Sequence, residues 1–292
     1  MSIKLPASAQ GAFNGNMQSG SKVELPFYTP AFWIMNGKAS MKQIGGVHFF
    51  GGWACESSKV EAAKEHWQDL IVPPLGLTST EFVADSGQSM NVFAARSLYV
   101  AVIGVRQFSI AKVNGEDRRV PPFTPGARPG VQILAVLGYR DADKNLRPWA
   151  PILLSAKGYQ VNHLSKAVNA WGSALKPVLK KMGLDGAHPG LFWSAIGTFG
   201  EERKQELVGK GTDKSTITPV SVYIPTNEIS EETVSKLYVG EDVADWMAEL
   251  SGKAKDWLHA FDVPANAAPV QPVAAEPSIP EEPPFADESI PF

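Results

Sequence analysis

From Asn91 to Ile110 the chain reads NVFAARSLYVAVIGVRQFSI, a long run rich in β-branched and aromatic residues. Such residues favour a pleated, half-buried backbone over a helix. Similar runs recur at AFWIMN (31–36), IGGVHFFGGWACE (44–56), TSTEFVADS (78–86), VQILAVLGYR (131–140), PWAPILLSAKG (148–158), GLFWSAIGTFGEERKQELV (190–208) and TITPVSVYIP (216–225). Each is bounded by Gly, Pro or Asp turn signals. Glycine pairs at 45–46 and 51–52 mark bulges or sharp bends of the kind found at a barrel corner. Up to about residue 225 the chain therefore reads as β.

Helical signals are fewer. Val161, Leu164, Val168, Trp171, Leu175 and Val178 recur at spacings of three and four and give one apolar face. Pro177 is expected to kink or end that helix, with Gly183 beyond it. Ser58 and Glu61 form a capping-box pattern for a short helix through Trp67. Val243, Trp246, Met247 and Leu250, followed by Trp257 and Leu258, predict helix packed on the body. The expected fold is β-rich α+β: an OB-like β-barrel core with added helices and a disordered acidic tail. A sandwich or a pair of barrels fits the same pattern.

Three zones emerge. Residues 1–24 are rich in Gly, Ser, Asn and Gln and read as a flexible arm. Residues 25–261 form the folded body. Residues 262–292 are a tail in which eight of 31 residues are proline, a composition that blocks both helix and sheet ladders. That tail holds six acids and no Lys or Arg, so of the total charge of −3 it carries −6 and leaves +3 on residues 1–261. A mildly basic body with an acidic tail suits nucleic-acid contact by the body. No apolar run is long enough for a membrane span, and the N-terminal stretch lacks an apolar signal core. The single cysteine, Cys55, excludes an internal disulfide. The cytoplasm is the expected compartment.

The chain closes with FADESIPF. Asp287 and Glu288 followed by Ile290, Pro291 and Phe292 resemble the acidic C-terminal tip of bacterial single-stranded DNA-binding proteins, with Ser289 departing from the family's run of acids. The resemblance covers about the last eight residues; the body carries no motif of that family. It implies that these five residues bind replication and repair proteins. A tethered Phe can enter an apolar pocket, which stabilises binding by roughly 1.5–3 kcal/mol. Pro291 limits the entropy lost on docking, and the acids steer the tip to basic rims.

A single-strand binder needs aromatic faces for bases and cations for phosphates. Aromatic and basic residues lie close together along the strand-like segments, and this proximity nominates Lys38, Lys42, Phe49, Trp53, Arg96, Tyr99, Arg106, Tyr139, Arg140, Arg147 and Trp149. Arg118, Arg119 and Arg128 stand on NGEDRRVPPFTPGARPG (114–130), read as a Pro/Gly-rich loop able to close over a strand. Trp171, Trp246 and Trp257 are assigned to core.

Catalytic motifs are missing. GNMQSGSK (15–22) approaches a phosphate loop, but Lys22 is displaced and no strand precedes it. His48, His66, His163, His188 and His259 lack ligand spacing, so no metal site and no cofactor is expected. Cys55 reads as a buried, inert thiol. The expected function is non-enzymatic: a protein that coats single-stranded DNA during replication, recombination or repair and recruits partners through its tip. The alternatives are a nuclease-like subunit of a replication or recombination enzyme, and a β-rich adaptor with no nucleic-acid role.

Overall fold

The long run around residue 100 becomes the spine of the molecule. In the computed structural model, which describes residues 23–36, 43–44, 47–48, 51–83, 89–198, 206–208, 215–224 and 229–260, it forms two strands. These are β6 (Ser89–Ala95) and β7 (Ser97–Val113), separated by Arg96 alone. Ahead of them lie β1 (Ala31–Asn36), the two-residue β2 (Gln43–Ile44) and β3 (Val47–His48), β4 (Gly51–Glu56), helix α1 (Ser57–His66) and β5 (Thr78–Val83). After them come β8 (Glu116–Val120), β9 (Arg128–Arg140), β10 (Leu146–Lys157), helix α2 (Gln160–Lys181) and β11 (Ser194–Gly197). The chain continues through β12 (Glu206–Val208), β13 (Ser215–Ile217), β14 (Ser221–Val222), α3 (Glu231–Leu237), α4 (Glu241–Lys253) and α5 (Lys255–His259).

One ten-stranded sheet dominates, in the order β14-β11-β7-β9-β10-β1-β4-β6-β5, with β8 paired to β7. The β1–β10 pair is parallel and the other pairs of this sheet are antiparallel. The class is thus β-rich α+β, as expected. The sheet is open, with β14 and β5 at its ends, so its ladder does not draw the closed OB-like barrel expected from sequence.

The sheet is nonetheless strongly curled. The Trp53 indole on β4 donates to the Ile196 carbonyl on β11 at 2.9 Å, and the Thr198 hydroxyl donates to the Gly51 carbonyl at 2.6 Å. Four strands separate β4 from β11 in the sheet order, yet the two are hydrogen-bonded neighbours in space. The Thr198 amide also donates to the Arg96 carbonyl at 2.9 Å. Backbone segments approach closely at this junction. A Cβ at Gly197 would sit 2.1 Å from the Arg96 carbonyl oxygen, and one at Gly52 would sit 2.2 Å from that of Ala95. Gly51 and Gly52 lie within β4 in unshifted register with Asn36 and Met35, so the crowding accounts for the missing side chain at Gly52 and no bulge is seen there; Gly45 and Gly46 lie outside the described residues.

Both faces of the central strands are buried. Val100 and Val102 of β7, with Ile133 and Ala135 of β9 and Ile152 and Leu154 of β10, join Phe32 and Trp53 in one cluster. The alternate residues Ala101, Ile103, Leu134 and Val136 face a second cluster built with Trp171, Leu175, Met247 and Trp257. Strand residues alternate faces, so this period of two is what a sheet packed on both sides demands. Helix α2 serves both clusters: Val161, Leu164 and Val168 enter the first, and Trp171, Leu175 and Leu179 the second.

Several local expectations need correction. Pro177 lies inside α2 and does not end it; the helix stops at Lys181, with Gly183 at φ 70° just beyond the Met182 cap. Helix α1 starts at Ser57 with Glu56 as its cap residue and no side-chain cap bond, so the Ser58–Glu61 capping box is not formed. The stretch read as one strand over 190–208 is a 3₁₀ turn at Pro189–Leu191, then β11 and β12. The charged segment EDRRV, read as loop, is β8, turned back on β7 through Asn114 and Gly115 at φ 53° and 83°. Among the described residues, no helix is long and apolar enough to cross a membrane.

Replacing Gly197 with alanine forces a methyl against the Arg96 carbonyl, and backbone atoms there have little room to yield. We expect a loss of roughly 1–3 kcal/mol, read as a lower urea midpoint at unchanged slope.

Candidate functional site

The strand ends around the Arg96 junction leave a cleft of about 340 Å³. Its floor comes from Ser97–Tyr99 at the start of β7 and Leu137–Arg140 at the end of β9. These segments are adjacent in the ladder, with Tyr99 opposite Gly138. The opposing wall is the Pro74–Leu77 segment ahead of β5. Leu75 on that wall is 56% exposed.

Four residues nominated from sequence line this cleft: Arg96, Tyr99, Tyr139 and Arg140. The Arg140 guanidinium lies 4.8 Å from the Tyr99 ring centroid and donates to the Tyr99 hydroxyl at 3.0 Å. It also donates to the Lys144 carbonyl at 2.9 Å. Stacking and hydrogen bonding thus fix the direction of the guanidinium, and Tyr99 is held with it. Arg96 reaches the Thr198 carbonyl at 3.4 Å. Tyr139 packs against the first core cluster. The lining has two arginines, two tyrosines and no carboxylate. Chemically, such a site offers flat aromatic faces and fixed positive charge, which suits a ligand that is planar and apolar in one part and anionic in another.

Other nominated residues lie elsewhere. Trp53 is fully buried, and Trp149 is buried with its indole donating to the Ile71 carbonyl at 2.8 Å. Neither presents a ring face to solvent, so both are core and not platforms. Arg106 is 3% exposed. It donates to the Trp257 carbonyl at 3.0 Å, the Ala260 carbonyl at 3.4 Å and Gln132 Oε1 at 3.0 Å. Its guanidinium lies 4.2 Å from the Trp257 ring centroid. Arg106 therefore ties α5 to β7 and offers no charge to a ligand, a correction to its expected role.

The hairpin cations are on the surface but share carboxylates. Arg118 pairs with Glu116, and Arg128 pairs with Asp117 at 3.1 Å. Lys112 holds Asp117 at 3.1 Å, and that contact keeps the Asp117 carboxyl below its usual range. Arg119 lies over Phe108 at 5.6 Å. Arg147 pairs with Asp141 at 2.8 Å, on the strand next to Tyr139. Lys38, Lys42 and Phe49, and the tip residues Asp287, Glu288, Ile290, Pro291 and Phe292, lie outside the described residues.

Sequence reasoning missed the cleft wall at Pro74–Leu77. The run VPPLGLT carries Pro and Gly turn signals, yet nothing basic or aromatic in it drew notice. It also missed Phe123, which is 65% exposed at φ 63° on the β8–β9 connection. Cys55 is buried, and burial pushes its thiol up to about 12, which keeps it protonated and unreactive at neutral pH. No group of three or more potential metal ligands occurs among the described residues. No protein family, curated protein or solved structure matches the chain.

Arg106→Met removes the hydrogen bonds that hold the end of α5. We expect a stability loss of roughly 2–4 kcal/mol in chemical denaturation, with ligand affinity unchanged in the folded fraction.

Proposed function

We propose that this chain is a non-enzymatic single-stranded DNA-binding protein acting in replication, recombination or repair. The observation that carries the reading is the meeting of Arg96, Tyr99, Tyr139 and Arg140 in one cleft that has no acidic lining. These residues were nominated from sequence because single-strand binding needs rings for bases and cations for phosphates, and they come from two separate segments of the chain, Arg96–Tyr99 and Tyr139–Arg140. We infer also that the curled sheet serves as an OB-like barrel. Strand β6 runs through Arg96 directly into β7, so the path β7-β9-β10-β1-β4-β6 ends on the strand that leads by chain into the one on which it began. The side-chain bonds between β4 and β11 brace that return.

The division of labour follows from charge. The body carries +3 and meets the DNA, while the segment 262–292 carries −6. Asp287, Glu288, Ile290, Pro291 and Phe292 on that segment dock replication and repair proteins, the acids steering and the apolar residues anchoring.

The test is a fluorescence-anisotropy titration of the full chain against labelled oligo-dT. Binding is expected at low salt and should weaken steeply as salt rises, through counterion release. Arg140→Gln should weaken binding and reduce the salt slope by about one. No binding at low salt, or binding indifferent to both salt and Arg140, contradicts the proposal.

A further inference from the structure

The sheet register brings together two tyrosines that the chain separates widely. Tyr99 on β7 is directly opposite Ala195 on β11. On the other side of β11, Ile196 pairs with Val222, and the Tyr223 amide continues that ladder by donating to the Ala195 carbonyl at 2.9 Å. Tyr223, Ala195 and Tyr99 therefore form one row across three strands. Directly opposed residues share a face of the sheet, and each step is about 5 Å between Cβ atoms, which sets the two tyrosines about 10 Å apart. The residue between them is a small alanine. Tyr223 is 56% exposed, among the most open large side chains of the described residues. Beyond Tyr99 the row meets β9, where Arg140 stacks on the Tyr99 ring.

We propose that Tyr223 is a second base-stacking position, so that a single strand leaving the cleft crosses the sheet from β9 over β7 and β11 to β14. This inference rests on the function proposed above and deepens it: it sets the direction of the bound strand and extends the site past the cleft. The exposed Tyr223 side chain offers a flat ring to a base without sequence preference, because every base has a π-face. Arg140 meets the backbone at one end of the row and Tyr223 holds a base at the other. Sequence reasoning did not single out Tyr223, which has no basic neighbour along the chain and whose row partner Tyr99 lies more than a hundred residues away.

The test compares wild type, Tyr223→Ala and Tyr223→Phe as full chains titrated with fluorescein-labelled oligo-dT, with thermal melts to confirm that each is folded. Tyr223→Ala is expected to bind about 5- to 150-fold more weakly, the loss of one stacked base. Tyr223→Phe keeps the ring and should stay close to wild type. If Tyr223→Ala binds as well as wild type, this position is overturned while the function stands. If Tyr223→Phe loses as much as Tyr223→Ala, stacking is overturned as its role. If wild type itself does not bind oligo-dT, the proposed function fails and this site fails with it.

Discussion

Everything in this fold depends on the backbone crowding at Arg96. Strand β6 ends and β7 begins there, and both β4 and β11 press on the turn through glycines that admit no side chain. The Trp53 indole and the Thr198 hydroxyl then bind β4 to β11 across what would otherwise be a gap in the curl. Buried hydrogen bonds of this kind are costly to break, because each lost partner leaves a desolvated polar group behind. Curl and cleft meet at this junction. The strand that bends at Arg96 also delivers Ser97, Leu98 and Tyr99 to the cleft floor.

The packing explains why the site lies where it does. Along their middle stretches β7 and β9 are covered on both faces, by α2 with the first cluster and by α2, α4 and α5 with the second. Near one pair of their ends, around Tyr99 and Arg140, side chains reach solvent. Arg106 sits in the covered stretch and is consumed in holding α5; Arg140 sits in the open stretch and stacks on Tyr99. Two arginines flanked by similar sequence thus take opposite roles, decided by whether a helix covers the strand at that point.

Much of this was legible in the residues. AFWIMN, the long run around residue 100, VQILAVLGYR and PWAPILLSAKG all became strands, because β-branched and aromatic runs between turn signals have few other outcomes. The apolar stripe of α2 was legible for the same reason. What failed was the choice of face. A strand buried on both sides gives no polar alternation, so Trp53 and Trp149 could not be told from exposed platforms. The role of Arg106 was hidden too, since its acceptors, the carbonyls of Trp257 and Ala260, lie about 150 residues away. The β8 strand was overlooked because its charges outweighed the Asn114-Gly115 signal, which is a strong marker of a two-residue hairpin. Curling of the sheet is a property of register and twist, which local composition does not encode.

The most direct test of the account is where a bound strand touches the protein. Photocrosslinking of an iododeoxyuridine-substituted oligo-dT to the full chain, followed by mass spectrometry of the peptides, locates that contact. The account predicts adducts on Tyr99 or Tyr139, at the cleft floor. Efficient crosslinking confined to peptides away from Arg96–Tyr99 and Leu137–Arg140 would contradict it.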